Sequence, residues 1–295
     1  ETDEILKQMR DPRSGDGEDF TTLGLVIGHV QSGKTANFMG LISKAVSIGY
    51  RFVIVLAGTK NDLRQQTQNR LDQELVGDDR FARAARGVKF ADWWSHEISR
   101  ELIDWAIDGV ATPPPAQAGS FWKFLTITGE EDFNPVGQMD FSQVFEQHNT
   151  LVVVVKKHAI KPADGADPHQ YRGILGKLME WIRRRSDQTY LPPTLIIDDE
   201  ADQAGVNSGK IFDENGDELD PSTINGCLRT LVHDVYGEAL GAEARSRQVA
   251  FVGYTATPFA NVFISNAVND LYPKDFIVAL DVPERYFGLE QYFGS

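Results

Sequence analysis

Gly28, His29, Val30, Gln31, Ser32, Gly33, Lys34 and Thr35 run consecutively in the pattern G-x-x-x-x-G-K-T. Each fixed position has a chemical use. The glycines let the backbone turn tightly and bring its N–H groups up to phosphate oxygens. Lys34 is a mobile point charge suited to the β- and γ-phosphates of a nucleotide. The Thr35 hydroxyl is placed to bind Mg²⁺. The flanking sequence supports the motif. An apolar, β-prone run, Leu23–Ile27, precedes it, and a helix-like segment, Ala36–Ile48, follows. A helix start has unpaired N–H donors and a partial positive charge, so it favours an anion.

Two further groups of residues could do chemistry. Asp198, Asp199, Glu200 and Asp202 follow the apolar run Leu195–Ile197. In a doubly wound sheet, ligands bind at the carboxyl ends of the strands. A carboxylate there can hold the Mg²⁺ that Thr35 reaches, and a neighbouring Glu can deprotonate an attacking water. The competing reading is an acidic turn capping the next helix, where Asp and Glu are favoured. Thr255 and Thr257 follow another apolar strand, Gln248–Tyr254, and Pro258 stops the run. Their hydroxyls can link the metal-site carboxylates to a second ligand. A Thr-rich strand exit with no such role is the alternative.

These residues need strands to hold them, and the chain supplies an alternating pattern. Leu23–Ile27, Arg51–Leu56, Leu151–Val155, Leu195–Ile197 and Gln248–Tyr254 read as strands. Ala36–Ile48, Asn61–Leu75, Ile174–Arg184, Ile224–Tyr236 and Glu238–Ala244 read as helices. Such alternation predicts an α/β fold with a mostly parallel sheet covered by helices on both faces. Residues 1–20 are polar and charged and read as a flexible lead-in. Residues 76–150 read as a helical and irregular insertion. Its aromatics Trp93, Trp94, Trp105 and Trp122, together with Trp181, fit packing better than base stacking, because few basic residues lie among them.

Order and detail together carry a resemblance. A phosphate loop, then Asp199-Glu200-Ala201-Asp202, then Thr255-Ala256-Thr257, each after a strand, is the order of the first motor lobe of superfamily-two helicases. More narrowly, Gly28–Phe38, Val152–His158, Ile196–Ala204, Tyr254–Phe263 and Asp270–Ile277 resemble the Z-one domain family. These are bacterial helicase-like ATPases, often labelled endonucleases and associated with restriction or phage-defence gene sets. The resemblance covers about residues 21–290. It implies a RecA-like ATP-binding lobe over 21–295, with Lys34 and Thr35 on nucleotide and Mg²⁺. Asp199 is then the metal-linked carboxylate and Glu200 the catalytic base. Asp202, Thr255 and Thr257 couple nucleotide state to a nucleic-acid groove. The segment from Ala57 to Gln66 occupies the place of a DNA-backbone contact, but Gly58 stands where the family pattern has proline and the spacing is one residue longer.

Composition sets bounds on this expectation. The net charge of −14 opposes strong DNA binding, which draws largely on Lys and Arg neutralising phosphates. Part of that acidity is local, with seven acids against three bases in residues 1–19. Thr59, Lys60, Arg64, Lys156 and Lys157 are the candidate DNA-backbone contacts, with a solvated charged face as the competing reading. No lysine has an acid two positions before it, no two histidines are spaced H-x-x-x-H, and Cys227 is the only cysteine. A restriction-type nuclease centre or a Cys-rich zinc site is therefore not expected. No signal peptide or membrane-length apolar run is present, and the lone cysteine fits a reducing, cytoplasmic setting. Starting at Glu1 and ending in Phe-Gly-Ser, the chain reads as a piece of a longer protein, lacking the second motor lobe that supplies arginine fingers. The expected function is an ATPase motor lobe acting on DNA with defence-system partners. A nucleotide-gated switch or scaffold, or a subunit of a nuclease complex, is the alternative.

Overall fold

The structure is a computed structural model that describes residues 1–13, 18–29, 33–72, 122–126, 133, 150–160, 171–186, 192–202, 223–234, 248–258 and 270–281. Its centre is a seven-stranded sheet whose recorded pairings are all parallel. The strands are β1 (Phe20–Ile27), β2 (Phe52–Ala57), β3 (Trp122–Phe124), β4 (Thr150–Lys156), β5 (Thr194–Asp199), β6 (Gln248–Thr255) and β7 (Phe276–Ala279). They lie in the order β3-β4-β2-β5-β6-β1-β7. The helices are α1 (Thr2–Gln8), α2 (Lys34–Ser47), α3 (Asn61–Arg70), α4 (Gly173–Ser186) and α5 (Thr223–Arg229), and a π-helical turn, Thr230–Asp234, extends α5.

The strand sequences explain this two-sided cover. Parallel strands buried on both faces need continuous apolar runs rather than alternating ones. β2 and the first six residues of β4 are buried throughout. Side chains alternate between faces, so one set of residues serves two cores. Val53, Val55, Val152, Val154, Leu195, Ile197, Ala250 and Val252 join Phe38, Leu41 and Ile42 of α2 on one side. Phe52, Ile54, Leu151, Val153, Ile196 and Phe251 join Leu175, Leu178, Ile182 and Leu228 of α4 and α5 on the other. Each such side chain, fully buried, contributes roughly 1.5–3 kcal/mol relative to exposure. Trp181 belongs to the second core, packed against Phe52 and Phe133 with ring centroids 6.2 and 5.9 Å away.

Three expectations change. The lead-in is ordered over residues 2–8, where Ile5 of α1 is fully buried against the α2 side of the sheet. Lys44 of α2 donates to the Thr2 hydroxyl and the Asp3 carboxylate, both at 2.7 Å. Ile5, Leu6 and Met9 make a narrow apolar stripe that the surrounding charges conceal in composition. The stretch read as an insertion contains β3, which continues the sheet beyond β4; Trp93, Trp94 and Trp105 lie outside the described residues. β7 was not expected as a strand. It pairs with β1 because the Asp275 carboxylate accepts from Leu23 N at 2.7 Å, starting the register that sets Phe276 opposite Gly24. Glu238–Ala244 lies outside the described residues.

Candidate functional site

The candidate residues converge at the carboxyl ends of β1, β5 and β6. β1 and β6 pair in register to Ile27 and Thr255, and Gly28 N donates to Thr255 O at 2.9 Å, which carries the pairing into the phosphate loop. The loop ends at Gly33, whose φ of 82° lies in the left-handed region that glycine adopts without Cβ strain. Gly33 caps α2, and its carbonyl accepts from Asn37 N at 2.9 Å. Val30, Gln31 and Ser32 lie outside the described residues. Lys34 is buried, and its Nζ donates to the carbonyls of Gly28 at 3.4 Å and His29 at 3.2 Å. The cation therefore rests on its own loop, beside the N-terminal turn of α2 where Thr35 sits half-buried.

At the end of β5 the acidic residues take separate roles. Asp198 is buried and paired with Lys157, Nζ to Oδ1 at 2.9 Å. Burial pushes the Asp198 carboxyl up, and the Lys157 charge opposes that shift. Asp199 and Glu200 are half-buried. Burial first, and then the Glu200 charge, raise the Asp199 carboxyl to about 6, while the charges of Lys157 and Lys34 act in the opposite direction. The phosphate loop and the β5 end are joined through β6, which pairs with both β1 and β5. Glu200 has φ 57°, the only positive value among described non-glycine residues. Ala201 N donates to Tyr254 O at 2.8 Å, docking the turn onto β6.

Asp202 then joins both threonines. The Thr255 hydroxyl donates to one carboxylate oxygen at 2.8 Å and the Thr257 hydroxyl to the other at 2.6 Å. Thr257 N donates to the Thr255 hydroxyl at 3.0 Å, closing a small network. On the other side of β6, the Tyr254 hydroxyl donates to Asn37 Oδ1 of α2 at 2.9 Å. Burial pushes the Tyr254 phenol well up, so it remains a donor.

Thr35 and Asp199 are the residues here that could hold a metal ion. Among the described residues no group of three or more His, Cys, Asp or Glu could hold a metal ion. Mg²⁺ does not need one, since it commonly takes one or two carboxylates and completes its shell with phosphate oxygens and water. Thr35 and Asp199 supply that kind of oxygen donor.

Two of the five candidate DNA contacts are corrected. Arg64 is fully buried, on the face of α3 that also buries Thr67 and Gln68, so it faces the sheet. Lys157 is enclosed with Asp198 and does not reach the surface. Thr59 and Lys60 are exposed, and Lys156 is half-buried with its amine on Asn61 Oδ1 at 2.8 Å. Lys157 as the partner of Asp198 is the site residue that sequence reasoning missed. The signal was present in Asp198 itself, an acid ending an apolar strand, because a buried carboxylate calls for a counter-charge. No protein-family model, curated protein or solved structure matches the chain.

Proposed function

We propose that this chain is the ATP-binding and ATP-hydrolysing lobe of a helicase-like motor acting on DNA, with the RecA-like fold and the Z-one kinship that its motifs resemble. A cytoplasmic bacterial restriction or phage-defence system is the setting that goes with this reading. The observation that carries it is the meeting of three separated motifs at the carboxyl ends of three neighbouring strands, β5, β6 and β1. The phosphate loop and the turn after Glu200 both dock on β6, through Gly28 N to Thr255 O and Ala201 N to Tyr254 O, and Asp202 binds both threonines at the end of that strand.

Each residue then has a part. Backbone N–H groups of the loop and the start of α2 receive the phosphates, and Lys34 moves from its loop carbonyls to the β- and γ-phosphates. Thr35 and Asp199 would hold Mg²⁺, which would neutralise charge developing on the phosphates during transfer. Glu200 accepts a proton from the attacking water. Asp202, Thr255 and Thr257 transmit a shift at the β5 end to the loop beyond β6. Thr59, Lys60 and Lys156 would touch the DNA backbone, and a second lobe elsewhere in the full protein would complete the site.

A second reading, a nucleotide-gated switch that does not translocate, is favoured by the net charge of −14 and by the burial of Arg64 and Lys157, which leaves Lys60 and Lys156 as the candidate cations for DNA. ATP turnover by the full-length protein separates the two. Turnover stimulated by single- or double-stranded DNA and lost in Glu200→Gln supports the motor. Turnover indifferent to both DNAs supports the switch.

A further inference from the structure

The roles above leave Lys157 unused. Its side chain has 0 % exposure, and a lysine ammonium has three donors to place. All three find oxygens: Asp198 Oδ1 at 2.9 Å, the Asp199 carbonyl at 3.1 Å and the Glu200 carbonyl at 2.6 Å. The two carbonyls stand on either side of the Glu200 Cα. Glu200 is the described non-glycine residue in the left-handed region, with φ 57°. That conformation disfavours a residue bearing Cβ and persists only where its surroundings over-determine it. The cation supplies that constraint from the residue just after β4, a strand not adjacent to β5 in the sheet, because β2 lies between them.

We propose that Lys157 is a positioning residue for the reaction: it gathers both carbonyls around Glu200, fixes the left-handed bend there, and so sets where the Asp199 and Glu200 carboxylates stand. Asp198 is the counter-ion that keeps this cation in place, which accounts for an acid at the end of an apolar strand. The bend stands on the geometry alone. Its consequence for turnover rests on the ATPase reading given above.

The test is the full-length protein carrying Lys157→Met together with Asp198→Asn, so that neither change leaves a bare buried charge. The crystal structure of this variant should show Glu200 at negative φ. Its kcat for ATP should fall about a hundredfold, the scale of a misplaced catalytic group, while KM changes by less than about threefold. A merely structural role would lower thermal stability and leave kcat per folded molecule unchanged. If the double variant does not fold, Lys157→Arg makes the same test. It keeps the charge, but its planar fork cannot converge on three oxygens as an ammonium does. Glu200 retained at φ near its present value, or a wild-type kcat, overturns the proposal. A parent protein that does not turn over ATP refutes the ATPase reading instead, and the Glu200 conformation alone then decides the role of Lys157.

Discussion

Burial makes the two threonines of the Asp202 network unequal, although their hydrogen bonds to the carboxylate look alike. Thr255 is fully buried, and its hydroxyl does two things: it donates to Asp202 at 2.8 Å and accepts from Thr257 N at 3.0 Å. Thr257 is exposed and its hydroxyl donates once, at 2.6 Å. Replacing Thr255 by Val keeps the shape and removes the oxygen. A carboxylate bond is lost and Thr257 N–H loses its acceptor. A hydrogen bond to a charged group contributes about 1.5–3 kcal/mol and a neutral one about 1, so Thr255→Val should cost roughly 2–4 kcal/mol. Water replaces the lost partner in Thr257→Ala, and the cost should stay under about 1 kcal/mol. Urea unfolding measures both as shifts of midpoint at constant slope. The cost of the double variant should depart from the sum of the two, because each change removes a donor from the same Asp202 carboxylate. Equal costs, or a neutral Thr255→Val, would refute the reasoning that burial sets these energies.

Two other outcomes are expected. A Cβ at Gly24 would lie 2.0 Å from the end of the Phe276 ring, so Gly24→Ala should destabilise by about 1–3 kcal/mol, and Phe276→Leu in the same chain should recover part of the loss in urea unfolding. The Asp199 carboxyl, raised from 3.8 to about 6, favours protonation in the folded state, so its stabilising proton is fully held below pH 3.8 and lost as pH rises through 6. Relative to Asp199→Asn, the parent protein should gain stability as pH falls from 7 to 4. Mg²⁺-dependent nucleotide binding should weaken over that range, and a difference that is flat with pH would contradict the assignment.

The parts of the site that sequence showed are those whose chemistry depends on neighbours in the chain. The phosphate loop needs its glycines, lysine and threonine in one run, and residues 28–35 display them. The β-branched runs around Val53, Val153 and Ile196 announce buried parallel strands because both faces must be apolar. Lys157 and Arg64 were not legible, because two adjacent lysines or an Arg in a Gln-rich helix look like surface until the sheet places them. β7 was hidden for a related reason. Its four residues alternate buried and exposed at the sheet edge, and their partner is β1, far away in sequence. The left-handed bend at Glu200 meets a cation that follows β4 and docks on a carbonyl of β6, both far away in sequence, so no local propensity reports it.

On the proposed function, Lys34 and its loop hold a nucleoside triphosphate with Mg²⁺. Titration calorimetry of ATP and Mg²⁺ into the full-length protein, beside Lys34→Ala, tests it most directly. Binding should be saturable at one site and weaken at least about tenfold in Lys34→Ala, the loss of one charge-assisted contact. Binding of equal strength in the two proteins, or none in either, would contradict it.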